Sequence, residues 1–145
     1  MGVKIIATNK KAHHEYFILE ELEAGIELTG TEIKSIRLGK ININDSYAQI
    51  KKGEIYLINC HISKYDKGNY NNHDELRDRR LLLHKKEIRK WYNKLKLEQR
   101  LTLVPLKVYL KDGLCKVSIS LCKGKKLYDK REALKERDIE RSLRK

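Results

Sequence analysis

With 145 residues, the chain is long enough for one domain of ordinary size and a short extension, with one hydrophobic core. Its 33 Lys and Arg residues against 20 Asp and Glu residues give a formal net charge of +13, which attracts polyanions and makes nucleic acid the leading partner class. No stretch approaches the roughly 18 apolar residues of a membrane span, and residues 1–6 are too few for a signal-peptide core, so we expect a cytoplasmic protein without a membrane partner.

The first half of the chain shows four strand patterns and one helix signal. Residues 16–19 and 25–28 are predicted to be strands. The stretch Thr29-Gly30-Thr31-Glu32 has the form of a capping box, which predicts a short helix that ends near Leu38, before Gly39. Two further predicted strands, 46–50 and 54–61, flank a hairpin signal at residues 51–53.

The second half predicts one helix and a long hairpin. Apolar residues recur at helical spacing at Ile88, Trp91, Tyr92 and Leu95. This predicts a helix with that face toward the core and a basic face on the opposite side. Strands are predicted over 101–110 and 114–121, on either side of the turn Lys111-Asp112-Gly113. Pro105 lies inside the first of them, and its missing N–H predicts an edge position or a bulge.

Six short strands with two inserted helices favour a small closed or nearly closed barrel over a sandwich, because a helix can cover one end of a barrel. The predicted fold is therefore mainly β with inserted helices, an OB-like antiparallel β-barrel. We expect residues 1–123 to form the barrel and residues 124–145 to form a basic C-terminal tail. That tail carries nine Lys or Arg residues against five Asp or Glu residues and few apolar side chains.

Candidate catalytic or metal-binding groups are sparse. A catalytic interpretation would use the histidines and nearby acids, at His13, His14, His61, His73 and His84. The pair His73-Asp74 is a weak signal because a metal site needs three or four converging ligands, and the alternative is a polar loop that satisfies backbone groups. Cys60, Cys115 and Cys122 lack C-x-x-C spacing and are expected to be reduced packing residues. We therefore expect no metal, no cofactor and no enzymatic activity.

Six sequence blocks occur in the order and spacing of one known family. They are TGTEIKS (29–35), NDSYAQI (44–50), NCHIS (59–63), NHDELRDRRLLLH (72–84), LTLVPLKVYLKDG (101–113) and GKKLYDKRE (124–132). On these blocks the chain resembles the SsrA-binding protein (SmpB) family, from about Asn9 to Glu132. Six separate blocks in one chain are far more specific than any one of them.

The resemblance implies an adaptor rather than an enzyme, with an OB-like barrel and a tail that is disordered when free. Proteins of this family bind the tRNA-like domain of transfer-messenger RNA and accompany it into the empty A site of a ribosome stalled on broken message. The implied partners are transfer-messenger RNA and the ribosome, chiefly its small-subunit RNA, and no DNA is expected. Translation then resumes on the RNA's own reading frame, which tags the nascent chain and frees the ribosome.

The expected RNA-binding residues of the barrel lie in two blocks, at Glu32, Lys34, Ser35, Arg37, Asn59 and His61. Glu32 would accept hydrogen bonds from a base edge, while Lys34 and Arg37 would neutralise phosphates. Asn59 and His61 alternate on one predicted strand and so share a face. The alternatives are a purely capping role for Glu32, a solvated helix face for the two cations, and a buried, hydrogen-bonded His61.

The tail is expected to become helical only on the ribosome. Asp129 followed by Glu132 resembles an N-cap with its box partner, but like charges at i, i+4 leave residues 130–143 marginal without packing. By resemblance, Tyr128 would lie at the decoding centre and the helix in the empty message channel. The implied ribosome contacts are Lys125, Lys126, Tyr128, Asp129, Lys130, Arg131, Lys135, Arg137 and Arg141.

Two other functions remain open from the residues. A general OB-fold single-strand nucleic-acid binder should offer several stacking aromatics on one sheet face, yet Phe and Trp occur once each. A basic ribosomal protein with an RNA-anchored tail is the other alternative.

Overall fold

The computed structural model describes residues 2–67 and 72–125. In chain order these form β1 (Val3–Thr8), α1 (Ala12–Glu15), β2 (Tyr16–Ile26), α2 (Gly30–Arg37), β3 (Ile41–Asn42), β4 (Tyr47–Lys51), β5 (Glu54–Ile58), β6 (His61–Ile62), β7 (Arg79–Leu82), α3 (Lys85–Leu97), β8 (Leu101–Lys111) and β9 (Leu114–Gly124).

Six antiparallel strands close into a barrel. Around the ring their order is β8, β9, β2, β7, β5 and β4. The ring closes where Ala48 of β4 pairs with Leu103 of β8, and β1 pairs with the later part of β8. A separate two-stranded sheet joins β3 to β6. The predicted antiparallel barrel with inserted helices is confirmed.

Both predicted hairpin turns have the backbone that their sequences favour. Lys52 and Gly53 have φ of 51° and 79°, and Asp112 and Gly113 have φ of 53° and 82°. Positive φ at both central residues is the signature of a type I′ turn, whose twist matches that of the flanking strands. These two turns fix the registers of β4 with β5 and of β8 with β9.

Two strand predictions differ from the structure. The predicted strand 16–19 and the first half of the predicted strand 25–28 belong to one continuous strand, β2, which ends at Ile26. Glu27 and Leu28 lie beyond its end. The predicted strand 54–61 is instead broken between β5 and β6, because Asn59 has φ of 60°, a left-handed conformation that cannot continue a pleated strand. The bulge predicted at Pro105 is present, since the pairing of β8 with β9 shifts register between Pro105 and Lys107.

Aliphatic side chains from alternating strand positions fill the barrel. They include Ile55, Leu57, Leu81, Leu103, Val108, Val117, Ile119 and Leu121. Ile36 of α2 and Trp91 of α3 complete this core and are 0% and 1% exposed. The predicted apolar face of α3 is thus confirmed for Ile88 and Trp91, but Tyr92 is 44% exposed.

A second, smaller cluster lies where α1 covers β8 and β9. There Ala12 packs with Val104, Leu106 and Cys122. The three cysteines are free thiols, and Cys60 and Cys122 are buried. Burial raises the pKa of the Cys60 and Cys122 thiols to about 12, so they stay protonated at neutral pH and serve as packing residues.

Candidate RNA-binding surface

The sequence of α2 determines where the helix begins and ends. Thr29 is the N-cap, and the capping box is complete: the Thr29 N–H donates to Glu32 Oε1 at 2.8 Å, and the Glu32 N–H donates to Thr29 Oγ1 at 3.3 Å. The chain leaves the helix through Gly39, whose φ is 77°. The cap fixes the first turn, and with it the directions in which the later residues of α2 point.

Glu32 forms an ion pair with Arg79 in the protein interior. Glu32 Oε2 accepts from Arg79 Nε at 2.6 Å, and both side chains are 0% exposed. Arg77 reaches the same carboxylate from the surface, with its Nη2 at 2.6 Å from Oε1 and its Nε at 3.3 Å from Oε2. With the capping N–H of Thr29, four hydrogen bonds reach the Glu32 carboxylate, which is about as many as its lone pairs accept.

Arg79 connects this pair to the neighbouring loops. Its Nη1 donates to the carbonyl of Cys60 at 2.6 Å, and its Nη2 donates to the carbonyls of Asp74 and Glu75 at 3.2 and 3.3 Å. One buried guanidinium therefore joins α2, the β5–β6 connection and the loop before β7. Because a lone buried charge is costly, these three segments depend on one another for their positions.

His73 is a second link between α2 and the loops. Its Nε2 lies 2.9 Å from the carbonyl oxygen of Ile62, and its Nδ1 lies 2.9 Å from Thr31 Oγ1. A carbonyl oxygen only accepts, so Nε2 carries a proton and donates it to the Ile62 carbonyl. The Asp74 carboxylate accepts the Leu76 N–H at 2.9 Å. The prediction of a polar loop whose side chains satisfy backbone groups is thus confirmed for His73 and Asp74.

Two of the predicted RNA-binding residues lie on the exposed side of α2, above the hydrogen bonds that Glu32, Arg79 and His73 form. Lys34 and Arg37 are exposed on α2, and Lys34 Nζ lies 5.5 Å from the ring centroid of Tyr65, at cation–π distance. We call Lys34, Arg37 and Tyr65 the α2 surface. It presents two cations on α2, a helix held by buried hydrogen bonds, and the ring of Tyr65 from the loop after β6.

Glu32 and Ser35 lie beneath the α2 surface and not on it. Both are 0% exposed, and the four donors on Glu32 leave no lone pair for a base edge. The expected contact of Glu32 with an RNA base edge is therefore wrong, and the capping alternative is correct. Glu32 also forms ion pairs with Arg77 and Arg79. Ser35 is corrected likewise because burial withholds its hydroxyl from RNA, and among the described residues Ser35 Oγ has no hydrogen-bond partner.

Asn59 and His61 are both accessible, although the strand between them is broken. Asn59 is exposed and donates from its side-chain amide to the Asp45 carbonyl at 3.1 Å. The side chain of His61 is 45% exposed, and its Nε2 lies 3.4 Å from Glu75 Oε2. Cys60 between them is buried. The expectation that both lie on one strand is wrong, because β5 ends at Ile58 and β6 begins at His61. The buried alternative for His61 does not hold.

Lys125 is the one predicted ribosome contact within the described residues. Its Nζ donates to the carbonyl of His13 at 3.1 Å and lies 4.9 Å from the ring centroid of Phe17. The chain beyond β9 therefore starts against α1 and β2. The other predicted contacts lie outside the described residues, at Lys126, Tyr128, Asp129, Lys130, Arg131, Lys135, Arg137 and Arg141.

The sequence predicted no role for Arg77, Arg79 or Tyr65. In the structure the two arginines pair with Glu32, and Tyr65 belongs to the α2 surface. A signal was present for the arginines, because residues 77–80 carry three arginines where β7 begins, and Arg79 and Arg80 are part of that strand. A cation that enters such a strand needs a buried acid as its partner. The partner could not be identified because it is 47 positions away in the chain.

Acid should weaken the fold through Glu32. Burial by itself raises the pKa of this carboxyl, but the hydrogen bonds from Arg77, the Thr29 N–H and Arg79 outweigh it and lower the pKa to about 2. Because the folded-state pKa is below the unfolded one, this contribution is fully present above about pH 4.5 and disappears as the pH falls toward about 2. Urea midpoints measured across that range should fall more steeply for the natural protein than for Glu32→Gln. Parallel curves would contradict the assignment.

In the part of the chain that the structure describes, no group of three or more His, Cys, Asp or Glu side chains is placed to hold a metal ion. None of the helices within residues 2–67 and 72–125 is both long and apolar enough to cross a membrane.

Comparison with known proteins identifies the family. The family model described as SmpB protein matches residues 6–145. An SsrA-binding protein of Geotalea uraniireducens is 57% identical over 143 residues, 99% of this chain and 94% of that protein, and one of a Geobacillus species (strain WCH70) is 59% identical over 140 residues, 97% of this chain and 90% of that protein. A chain in the solved structure "tmRNA-SmpB: a journey to the center of the bacterial ribosome" is 50% identical, with a TM-score of 0.67 over 82% of this chain and 83% of that one. This chain therefore belongs to the SmpB family of SsrA-binding proteins.

Proposed function

We propose that this chain is the RNA-binding adaptor of trans-translation. It binds the tRNA-like domain of transfer-messenger RNA, brings that RNA to the A site of a stalled ribosome and takes part in ribosome rescue. The observation that carries this function is the high identity to SsrA-binding proteins along nearly the whole chain. The chain acts as an adaptor and not as an enzyme. Its partners in the cytoplasm are transfer-messenger RNA and the ribosome, chiefly the small-subunit RNA.

In this proposal the barrel binds transfer-messenger RNA through the α2 surface. Lys34 and Arg37 bind phosphates, and Tyr65 offers a ring on which an unpaired base can stack. Asn59 and His61 add accessible polar groups from the neighbouring connection. Glu32 is a positioning residue, because its hydrogen bonds hold α2 to the loops from below.

The tail acts on the ribosome. We assign the barrel to residues 1–123 and the tail to 124–145, although pairing of β9 with β2 continues to Gly124. Supporting this division, the tail holds nine of the basic residues and few apolar ones, a composition suited to an RNA-walled channel. Tyr128, Asp129, Lys130 and Arg131 would occupy the decoding centre. The later cations would line the empty message channel as the segment becomes helical.

Replacing Lys34 or Arg37 by alanine should weaken binding to the tRNA-like domain several-fold. Each loss removes a phosphate contact, so the slope of log affinity against log salt should decrease by on the order of one unit or less. The slope is measured by titration at four or five salt concentrations. Leu38→Ala, at an exposed position next to Arg37, is the uncharged control. If both cation variants keep the full slope, the α2 surface does not contact phosphate.

A general single-strand binder is the second candidate, and the placement of aromatics does not favour it. Within the described residues, the exposed large aromatic side chains are Phe17, Tyr47 and Tyr92, which belong to β2, β4 and α3. They do not form the row on one sheet face that an OB-fold binder uses for stacking successive bases.

Sequencing the RNA that co-purifies with the protein tests the adaptor function. The protein is purified from cells at moderate salt, and its bound RNA is extracted and sequenced. An adaptor should carry one dominant structured RNA that contains a tRNA-like domain. Mixed RNA would favour the general binder, and retention on all ribosomal subunits after a high-salt wash would favour a ribosomal protein.

A further inference from the structure

A second surface with the chemistry of an RNA site lies along the junction of α3 with β4. Two adjoining cavities of about 330 and 310 Å³ share Ile50 and Tyr92 as lining residues. Ile88 and Leu95 of α3 form part of the apolar floor. We call this depression the α3–β4 groove. None of the α2 surface residues lines it.

The groove offers aromatic rings to a flat ligand. Tyr92 and Tyr47 are 44% and 43% exposed, although each lies beside apolar neighbours. Lys96 Nζ lies over the Tyr92 ring, 5.3 Å from its centroid, which places a cation against one face of that ring. An exposed ring with a cation beside it is a platform for a nucleobase whose phosphate reaches the cation.

Cations line the rim of the groove. They are Lys52, Lys85, Arg89 and Lys96. Lys85 pairs with Glu54, which also accepts from Arg80 at 3.3 Å, whereas Lys52 and Arg89 enter none of the ion pairs within residues 2–67 and 72–125. The helix acid Glu87 is engaged in the cap of α3, where it accepts the His84 N–H at 3.0 Å. The rim is thus positive, with its nearby acids already occupied.

From this arrangement we infer that the α3–β4 groove binds single-stranded RNA, with a base on Tyr92 and the backbone along Lys52 and Arg89. Charge complementarity selects this occupant, since a basic rim repels the chain's own basic tail and attracts a polyanion. Duplex RNA hides its base faces in the stack, so only an unpaired segment can use the ring. The inference does not depend on which RNA the α2 surface binds.

The test uses the full-length protein and a fluorescently labelled, unstructured uridine oligonucleotide. Tyr92→Ala should weaken binding by roughly ten-fold, within the range for loss of one stacked base, without changing the salt slope. Tyr92→Phe keeps the ring and should bind within two-fold of the natural protein. Lys52→Ala with Arg89→Ala should weaken binding and lower the slope by at most about two units.

Two controls separate this groove from the α2 surface. Tyr92→Ala should leave affinity for the isolated tRNA-like domain unchanged, while Lys34→Ala with Arg37→Ala should reduce it. A photo-crosslinking residue at Leu97, which is 87% exposed at the end of α3, should react with RNA on stalled ribosomes. Unchanged oligonucleotide binding by both groove variants would overturn the inference, as would crosslinks to protein instead of RNA. Either result would leave the adaptor function standing.

Discussion

Replacing Glu32 by alanine is expected to lower the free energy of unfolding by about 3–5 kcal/mol, the usual cost of leaving one member of a buried ion pair without its partner. Arg79 is 0% exposed and would keep its charge with only backbone carbonyls to accept its protons. The same change removes the capping interaction at Thr29. Urea denaturation followed by circular dichroism measures the loss.

Glu27→Ala is the matched control because it also removes a glutamate that pairs with an arginine. Its carboxylate lies 2.6 Å from Arg80 Nη2, but the glutamate side chain is 53% exposed and the pair is screened by water. Its loss should cost at most about 1 kcal/mol. If Glu32→Ala unfolds as the natural protein does and yet binds RNA more weakly, Glu32 contacts RNA directly and its placement beneath the α2 surface is wrong.

Replacing Asp129, Lys130 and Arg131 together by alanine is expected to abolish peptide tagging on stalled ribosomes, while affinity for the tRNA-like domain stays within a few-fold. Asp129 would cap the tail helix, and the two cations would meet ribosomal RNA at the turn before it. None of these three residues belongs to the α2 surface. Tagging is measured in a reconstituted translation system with a message that ends in the P site.

The control for this triple variant changes the acids of the tail instead of its bases. Alanine at Glu136, Asp138 and Glu140 keeps every cation and Asp129, so tagging should continue. The tail should also be protected from protease only on ribosomes without message beyond the A site. Normal tagging by the triple variant, or equal protection on ribosomes with a full message, would contradict the role given to the tail.

Local sequence signals predicted the elements of the barrel well. The capping box at Thr29 and the Lys-Gly and Asp-Gly turns act through neighbouring backbone groups, so they mark α2 and both hairpins without tertiary context. Pro105 marked its bulge because a missing N–H has the same consequence in any sheet. The break at Asn59 was missed because a residue in the left-handed region leaves no mark on an alternating pattern.

The candidate site was predicted only where exposure follows from helix position. Lys34 and Arg37 lie on the outside of α2 as expected. Glu32 and Ser35 were predicted to be accessible because polar residues in a short helix are usually exposed, but both are buried. For Glu32, burial depends on a charged partner that the local sequence does not reveal. That partner, Arg79, comes from a strand too short and too charged to be predicted, so the buried network depends on long-range pairing.

A protein ending at Lys125 tests the central claim most directly, since it keeps the paired strands and the Lys125 contact with His13 but lacks the rest of the tail. It is compared with the full chain in two assays, binding to the tRNA-like domain and tagging on ribosomes stalled at the end of a message. The adaptor account predicts equal binding and no tagging. Tagging at the normal rate by the shortened protein would contradict the account.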